Sequence, residues 1–103
     1  MQVERWDTAR DGALSEAALR AKLEKLGYSV SRYVYSPGTC FPDHTHNVDK
    51  MDAVVAGLFR ITTPDGSADL GPGDAIQVPR GVVHSAGVIG HEPVVSLDAV
   101  KVR

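Results

Sequence analysis

Residues 38–57 read Gly38-Thr39-Cys40-Phe41-Pro42-Asp43-His44-Thr45-His46-Asn47-Val48-Asp49-Lys50-Met51-Asp52-Ala53-Val54-Val55-Ala56-Gly57. One residue separates His44 from His46. In an extended strand such positions point to the same face, so both imidazoles can converge on one point. A strand follows at Asp52 to Ala56, closed by Gly57. Working outward, Tyr28 to Ser36 alternates and is rich in β-formers, and Leu58 to Thr63 continues beyond Gly57. A turn at Pro64-Asp65-Gly66-Ser67 leads to a short strand at Ala68 to Leu70, and Ala75 to Val78, Val82 to Val88 and Val94 to Val102 complete the set. The breaks fall at Ser36-Pro37-Gly38, Gly71-Pro72-Gly73-Asp74 and Pro79-Arg80-Gly81, where Pro fixes φ and Gly permits positive φ. Short strands joined by tight turns predict an all-β fold, a closed or nearly closed antiparallel barrel.

One segment has a different period. Leu19, Leu23 and Leu26 follow the i, i+4, i+7 rhythm of a single helical face, Ser15 can cap its start and Gly27 can stop it. A helix over about 15–26 is expected on the outside of the sheet or on a partner subunit. At 103 residues the chain is expected to be one domain, too short for a two-domain enzyme or an eightfold β/α barrel of about 250 residues. Eleven basic residues against 13 acidic ones give a net charge of −2, no electrostatic basis for binding nucleic acid or an anionic membrane. A single cysteine excludes an intrachain disulfide and a multi-cysteine zinc site. The first residues lack the apolar stretch of a signal peptide, and no apolar run approaches the roughly 20 residues of a membrane span, so a cytoplasmic protein is expected.

The chemistry rests on histidine. Two imidazoles on one strand suit Zn, Fe, Cu, Ni or Mn. His84 follows the turn at Pro79-Arg80-Gly81 and can bring a third imidazole from another strand. A three-nitrogen face leaves positions open for water or substrate, as reactive metal sites do. His91, in Gly90-His91-Glu92-Pro93, reads as a solvated turn residue.

At these residues the chain resembles the cupin superfamily, in the form of a small single-domain cupin. The first cupin motif is G-x5-H-x-H-x3,4-E-x6-G, and Gly38, His44, His46 and Gly57 fall on it. The second is G-x5-P-x-G-x2-H-x3-N, and Gly73, Pro79, Gly81 and His84 fall on it. Only Lys50, in place of Glu, and Val88, in place of Asn, depart. The motifs span 38–57 and 73–88, and the stretch from the first to the last is about half of the chain. The resemblance implies a jelly-roll barrel (double-stranded β-helix), commonly a homodimer, in which His44, His46 and His84 hold a divalent metal.

Lys50 is the telling departure, because the cupin glutamate gives the metal a carboxylate. A protonated ammonium about 4 Å from a divalent cation is repelled by several kcal/mol at intermediate dielectric. Three arrangements are open. The metal sits on three histidines with Lys50 neutral or turned aside; a neighbouring carboxylate, Asp52 or Asp49, substitutes; or Lys50 replaces the metal and meets an anion directly. Asp52 shares strand parity with Lys50 and can pair with it, whereas Asp49 has opposite parity. Cys40 is either a pocket thiol or a small buried hydrophobe. Tyr33, Tyr35 and Phe59 either line the cavity mouth or pack in the core. Arg60 and Arg80 can anchor a substrate carboxylate, Arg80 being better placed to face solvent.

These readings converge on a metal-dependent enzyme, dioxygenase- or isomerase-like, with Fe, Mn, Zn or Ni on His44, His46 and His84. Its substrate is a small anionic molecule, and Lys50 is its catalytic candidate as electrostatic partner or general base. The alternative is a non-catalytic small-molecule-binding cupin in which Lys50 weakens or replaces the metal. A purely structural dimer is a third reading, and a self-contained transcriptional regulator is not expected at this length.

Overall fold

The computed structural model describes residues 1–102. Among these, nine strands run in order β1 (Gln2–Glu4), β2 (Tyr28–Tyr35), β3 (Cys40–His44), β4 (Lys50–Ala56), β5 (Leu58–Thr63), β6 (Gly66–Leu70), β7 (Ala75–Val78), β8 (His84–Ile89) and β9 (Val94–Lys101), with helices α1 (Thr8–Asp11) and α2 (Glu16–Lys25) between β1 and β2. They form two antiparallel sheets, β1-β7-β4-β9-β2 and β3-β8-β5-β6, the layers of a jelly roll. The all-β reading and most strand positions hold. The N-terminal segment adds β1 and the four-residue α1 to the one helix expected.

Strand alternation divides the apolar residues between two cores. Val54, Ile61, Leu70, Ile76, Val78 and Val94 meet between the sheets. Met51, Ala53, Leu97 and Ala99 point the other way and receive Leu19 and Leu23 of α2. The middle strands β4 and β9 are therefore covered on both faces. Ser15 caps α2, its Oγ accepting from the Ala18 N–H at 3.0 Å. Leu26 departs from the expected buried stripe: as the C-cap it is exposed, because the helix ends before that turn reaches the sheet. Glu16 in the first turn meets Arg32 of β2 at 2.9 Å and ties the helix to the sheet edge.

Two local irregularities matter to the fold. The β3–β8 register pairs Phe41 with Ala86 and His44 with His84, so β3 carries one extra residue between those pairs. Such a bulge re-aims side chains, and here Phe41 and His44 both face the cavity despite opposite parity. At the other end, Gly57 has φ +85, and a Cβ there would lie 2.4 Å from the Pro93 carbonyl oxygen. Only glycine lets β4 turn into β5 so close to the start of β9.

Candidate metal centre

Three elements deliver the histidines. His44 ends β3, His84 opens β8 directly across from it, and His46 lies two residues beyond the end of β3. The expectation that His44 and His46 share one strand is corrected: the chain leaves the sheet after His44. His46 is held instead by its backbone, its carbonyl accepting from the Gly81 N–H at 2.9 Å. That bond joins the histidine pair to the turn that launches His84. Asp49 accepts from the Arg80 N–H at 2.8 Å and fixes the same turn.

The imidazoles converge as expected. One ring nitrogen from each of His44, His46 and His84 lies within 4.8 Å of the others. The His44 Nδ1 is 2.7 Å from the Pro42 carbonyl and the His84 Nδ1 is 3.0 Å from the Val82 carbonyl. Each Nδ1–H thus donates to a backbone acceptor, which fixes the tautomer and leaves the Nε2 lone pair free. Burial holds the His46 and His84 pKa values below the ordinary imidazole range, with Lys50 and the neighbouring imidazoles also lowering them. The neutral form is the one that binds metal. Tautomer, charge state and convergence all fit a divalent ion on nitrogen ligands.

The three rings line a cavity of about 210 Å³ between the sheets. Tyr35, Phe41 and Phe59 form its aromatic wall, with Tyr35 5.6 Å from Phe59 and 4.9 Å from Phe41 between ring centroids. Tyr35 and Phe59 thus line the cavity and pack against the core at once, whereas Tyr33 is exposed and stacks on Tyr35. Burial, with Asp98 and Asp52 nearby, pushes the Tyr35 phenol up to about 12, so it stays protonated.

The cavity's remaining polar groups come from β4 and β9. Lys50 is 8% exposed, and its Nζ lies 2.7 Å from Asp98 Oδ1 and 3.8 Å from Asp52 Oδ1. The expected Lys50–Asp52 pairing is present, but the closer partner is Asp98. Burial raises the Asp52 carboxyl to about 6, although the Lys50 ammonium opposes that rise. Asp98 and Ser96 were not singled out from sequence, yet both line the cavity. Their signal was available: they alternate with Leu97 and Ala99 along β9, two polar positions of one parity.

Other candidates lie elsewhere. Asp49 is absent from the cavity lining, as its parity implied. Cys40 is exposed, neither pocket thiol nor buried hydrophobe, because the bulge separates its parity from that of His44. Arg60 makes a two-point contact with Asp69 at 2.7 and 3.1 Å on the outer surface and does not reach the cavity. Arg80 and His91 are exposed. Val88, in the place of the motif's Asn, joins the inter-sheet core.

The Cupin domain family matches residues 31–100, more than half of the chain. The chain belongs to the cupin family. A gentisate 1,2-dioxygenase from Ralstonia sp. is 36% identical over 83 residues, covering 76% of this chain and 23% of that protein. This cupin therefore spans under a quarter of that dioxygenase's length. Among solved structures, a cupin superfamily protein from Desulfitobacterium hafniense covers 99% of this chain and 79% of its own at TM-score 0.64 and 20% identity. KdgF from Halomonas sp. covers 75% of this chain and 72% of its own at TM-score 0.63 and 23% identity. At such identities the structural likeness carries the fold alone. None of the described helices is long and apolar enough to cross a membrane.

Proposed function

We propose that this cupin is a metal-dependent enzyme, dioxygenase- or isomerase-like, acting on a small anionic substrate. His44, His46 and His84 hold the divalent ion, which is Fe, Mn, Zn or Ni. The observation that carries the reading is the convergence of three imidazole nitrogens within 4.8 Å, two of them with Nδ1 anchored to backbone carbonyls. The likeness to a stretch of a gentisate dioxygenase supports the same direction. A bound metal would supply Lewis-acid polarisation of an anionic ligand and, if redox-active, oxygen chemistry.

The chain's own side chains do the remainder. Phe41, Phe59 and Tyr35 exclude water and pack against the body of a small substrate. Lys50, held by Asp98, presents its remaining N–H groups at the cavity, where they orient a substrate oxygen or exchange a proton with it. The cavity volume of about 210 Å³ restricts the substrate to a small molecule. The outer edge of β2 pairs with no strand among the described residues, and we place the contact of a homodimer there.

The test is turnover by protein loaded separately with iron, manganese, nickel or zinc, offered small carboxylates and enediols, with oxygen uptake and product formation followed. Turnover that needs the metal and disappears in His84→Ala supports the proposal. Metal-loaded protein that binds small anions saturably without turnover favours the alternative, a non-catalytic binding cupin, whose supporting observation is the lysine in the place of the motif's glutamate.

A further inference from the structure

Lys50 poses an electrostatic problem for the proposed centre. Its side chain lines the same cavity as the three imidazoles, and an unopposed ammonium there repels a divalent cation. The structure shows how that charge is held. Asp98 Oδ1 lies 2.7 Å from Nζ and Asp52 Oδ1 lies 3.8 Å from it. The two carboxylates come from residues directly opposite one another on β4 and β9, and both face the cavity.

The arrangement is more than the minimum needed to bury a lysine. One carboxylate would neutralise it, and an apolar residue of similar volume would fill the space without any desolvation cost. Here two acids surround one ammonium, so the trio carries at most one net negative charge and no net positive one. β9 turns Leu97 and Ala99 toward α2 and keeps its polar positions, Ser96 and Asp98, for the cavity.

We infer that Asp98 is a positioning residue for the metal centre: by holding and neutralising the Lys50 ammonium, it lets the three-histidine face accept a divalent cation although lysine stands where cupins place a carboxylate ligand. Asp52 supports it from the facing strand. This inference rests on the proposed metal-binding role of His44, His46 and His84.

The test is the affinity of the whole chain for Zn²⁺ by calorimetry near pH 7.5, with thermal unfolding followed by circular dichroism to establish that each variant is folded at the assay temperature. Asp98→Asn is expected to weaken Zn²⁺ binding about 10- to 100-fold, the usual loss when a group supporting the ligands is removed. Asp98→Glu should recover most of it. Adding Lys50→Met to Asp98→Asn should restore affinity to within a fewfold of wild type, since the charge that Asp98 neutralises is then gone. Lys50→Met alone should bind Zn²⁺ at least as tightly as wild type, and this prediction stands even if Asp98→Asn does not fold.

Unchanged affinity in Asp98→Asn, with binding abolished in His84→Ala, overturns the role of Asp98 and leaves the metal reading intact. A loss in Asp98→Asn that Lys50→Met does not relieve overturns it too, because Asp98 then acts by another route. Weaker binding in Lys50→Met alone has the same consequence. Wild-type protein that binds no Zn²⁺, or binds it equally in His84→Ala, overturns the metal reading and this inference with it.

Discussion

Replacing Lys50 by Met removes the ammonium from between Asp98 and Asp52 and leaves two carboxylates facing each other across β4 and β9. At an effective dielectric of 20, the attraction lost is about 6 kcal/mol from the 2.7 Å contact and about 4 kcal/mol from the 3.8 Å one. The several kcal/mol needed to dehydrate the ammonium offset much of this, so the net cost is closer to that of breaking a buried pair, about 3–5 kcal/mol. The pH dependence follows from Asp52, whose folded carboxyl is raised to about 6 from an ordinary 3.8. A raised carboxyl pKa means that folding favours the protonated form, so the stability tied to that proton is lost as pH rises from about 4 through about 6. Without the ammonium, which pulls the Asp52 value down, the carboxyl rises further. Lys50→Met should therefore cost about 3 kcal/mol at pH 8 and distinctly less at pH 5, where Asp52 carries its proton. Urea unfolding followed by circular dichroism at both pH values measures it. Adding Asp98→Asn should return part of the loss at pH 8 by removing one of the facing charges. A cost below about 0.5 kcal/mol at pH 8, or an equal cost at both pH values, would refute the reasoning, since surface substitutions stay within that range.

Three more expectations concern the site and its frame. His84→Ala should leave the barrel folded but lose stoichiometric metal binding, read by equilibrium dialysis; unchanged occupancy would remove His84 from the centre. Metal uptake should fall as pH drops, because the ligands must be neutral, and half-loss should come below the ordinary imidazole value of 6.5, since His46 and His84 are held low. A half-loss above pH 7 in a zinc titration would contradict that direction. Gly57→Ala should destabilise the fold by more than about 2 kcal/mol, because it combines a clash at 2.4 Å with the Pro93 carbonyl and a φ of +85. A melting temperature within a degree of wild type would show that β4 and β9 have room to separate.

The sequence made the regular parts of this cupin readable. Glycine and proline mark the turns between strands, and the Leu19–Leu23 spacing marks α2 against the outer sheet face. The convergence of the three histidines was readable too, though for His46 the strand-parity argument gave the wrong local reason: the Gly81–His46 backbone bond positions it. β1 and α1 left no clear pattern, since elements of three and four residues owe their form to contacts such as the pairing of Val3 with Ile76. The β3 bulge was hidden for a related reason. It is a property of the pairing with β8, and it alone decides that Phe41 faces the cavity while Cys40 faces solvent. Alternation along β9 marks Asp98 as a polar inward position, but its place beside Lys50 depends on a register between strands far apart in the chain, Asp52 opposite Asp98, which alternation within either strand cannot reveal.

The central claim is that three histidines hold a divalent ion, and elemental analysis after extensive dialysis tests it most directly. Untagged protein reconstituted with iron, manganese, nickel or zinc, beside a variant with His44→Ala and His46→Ala, is predicted to retain close to one ion per chain, with the variant retaining essentially none. A folded wild-type protein that refuses all four metals, or a variant that keeps them as well as wild type does, would contradict the account.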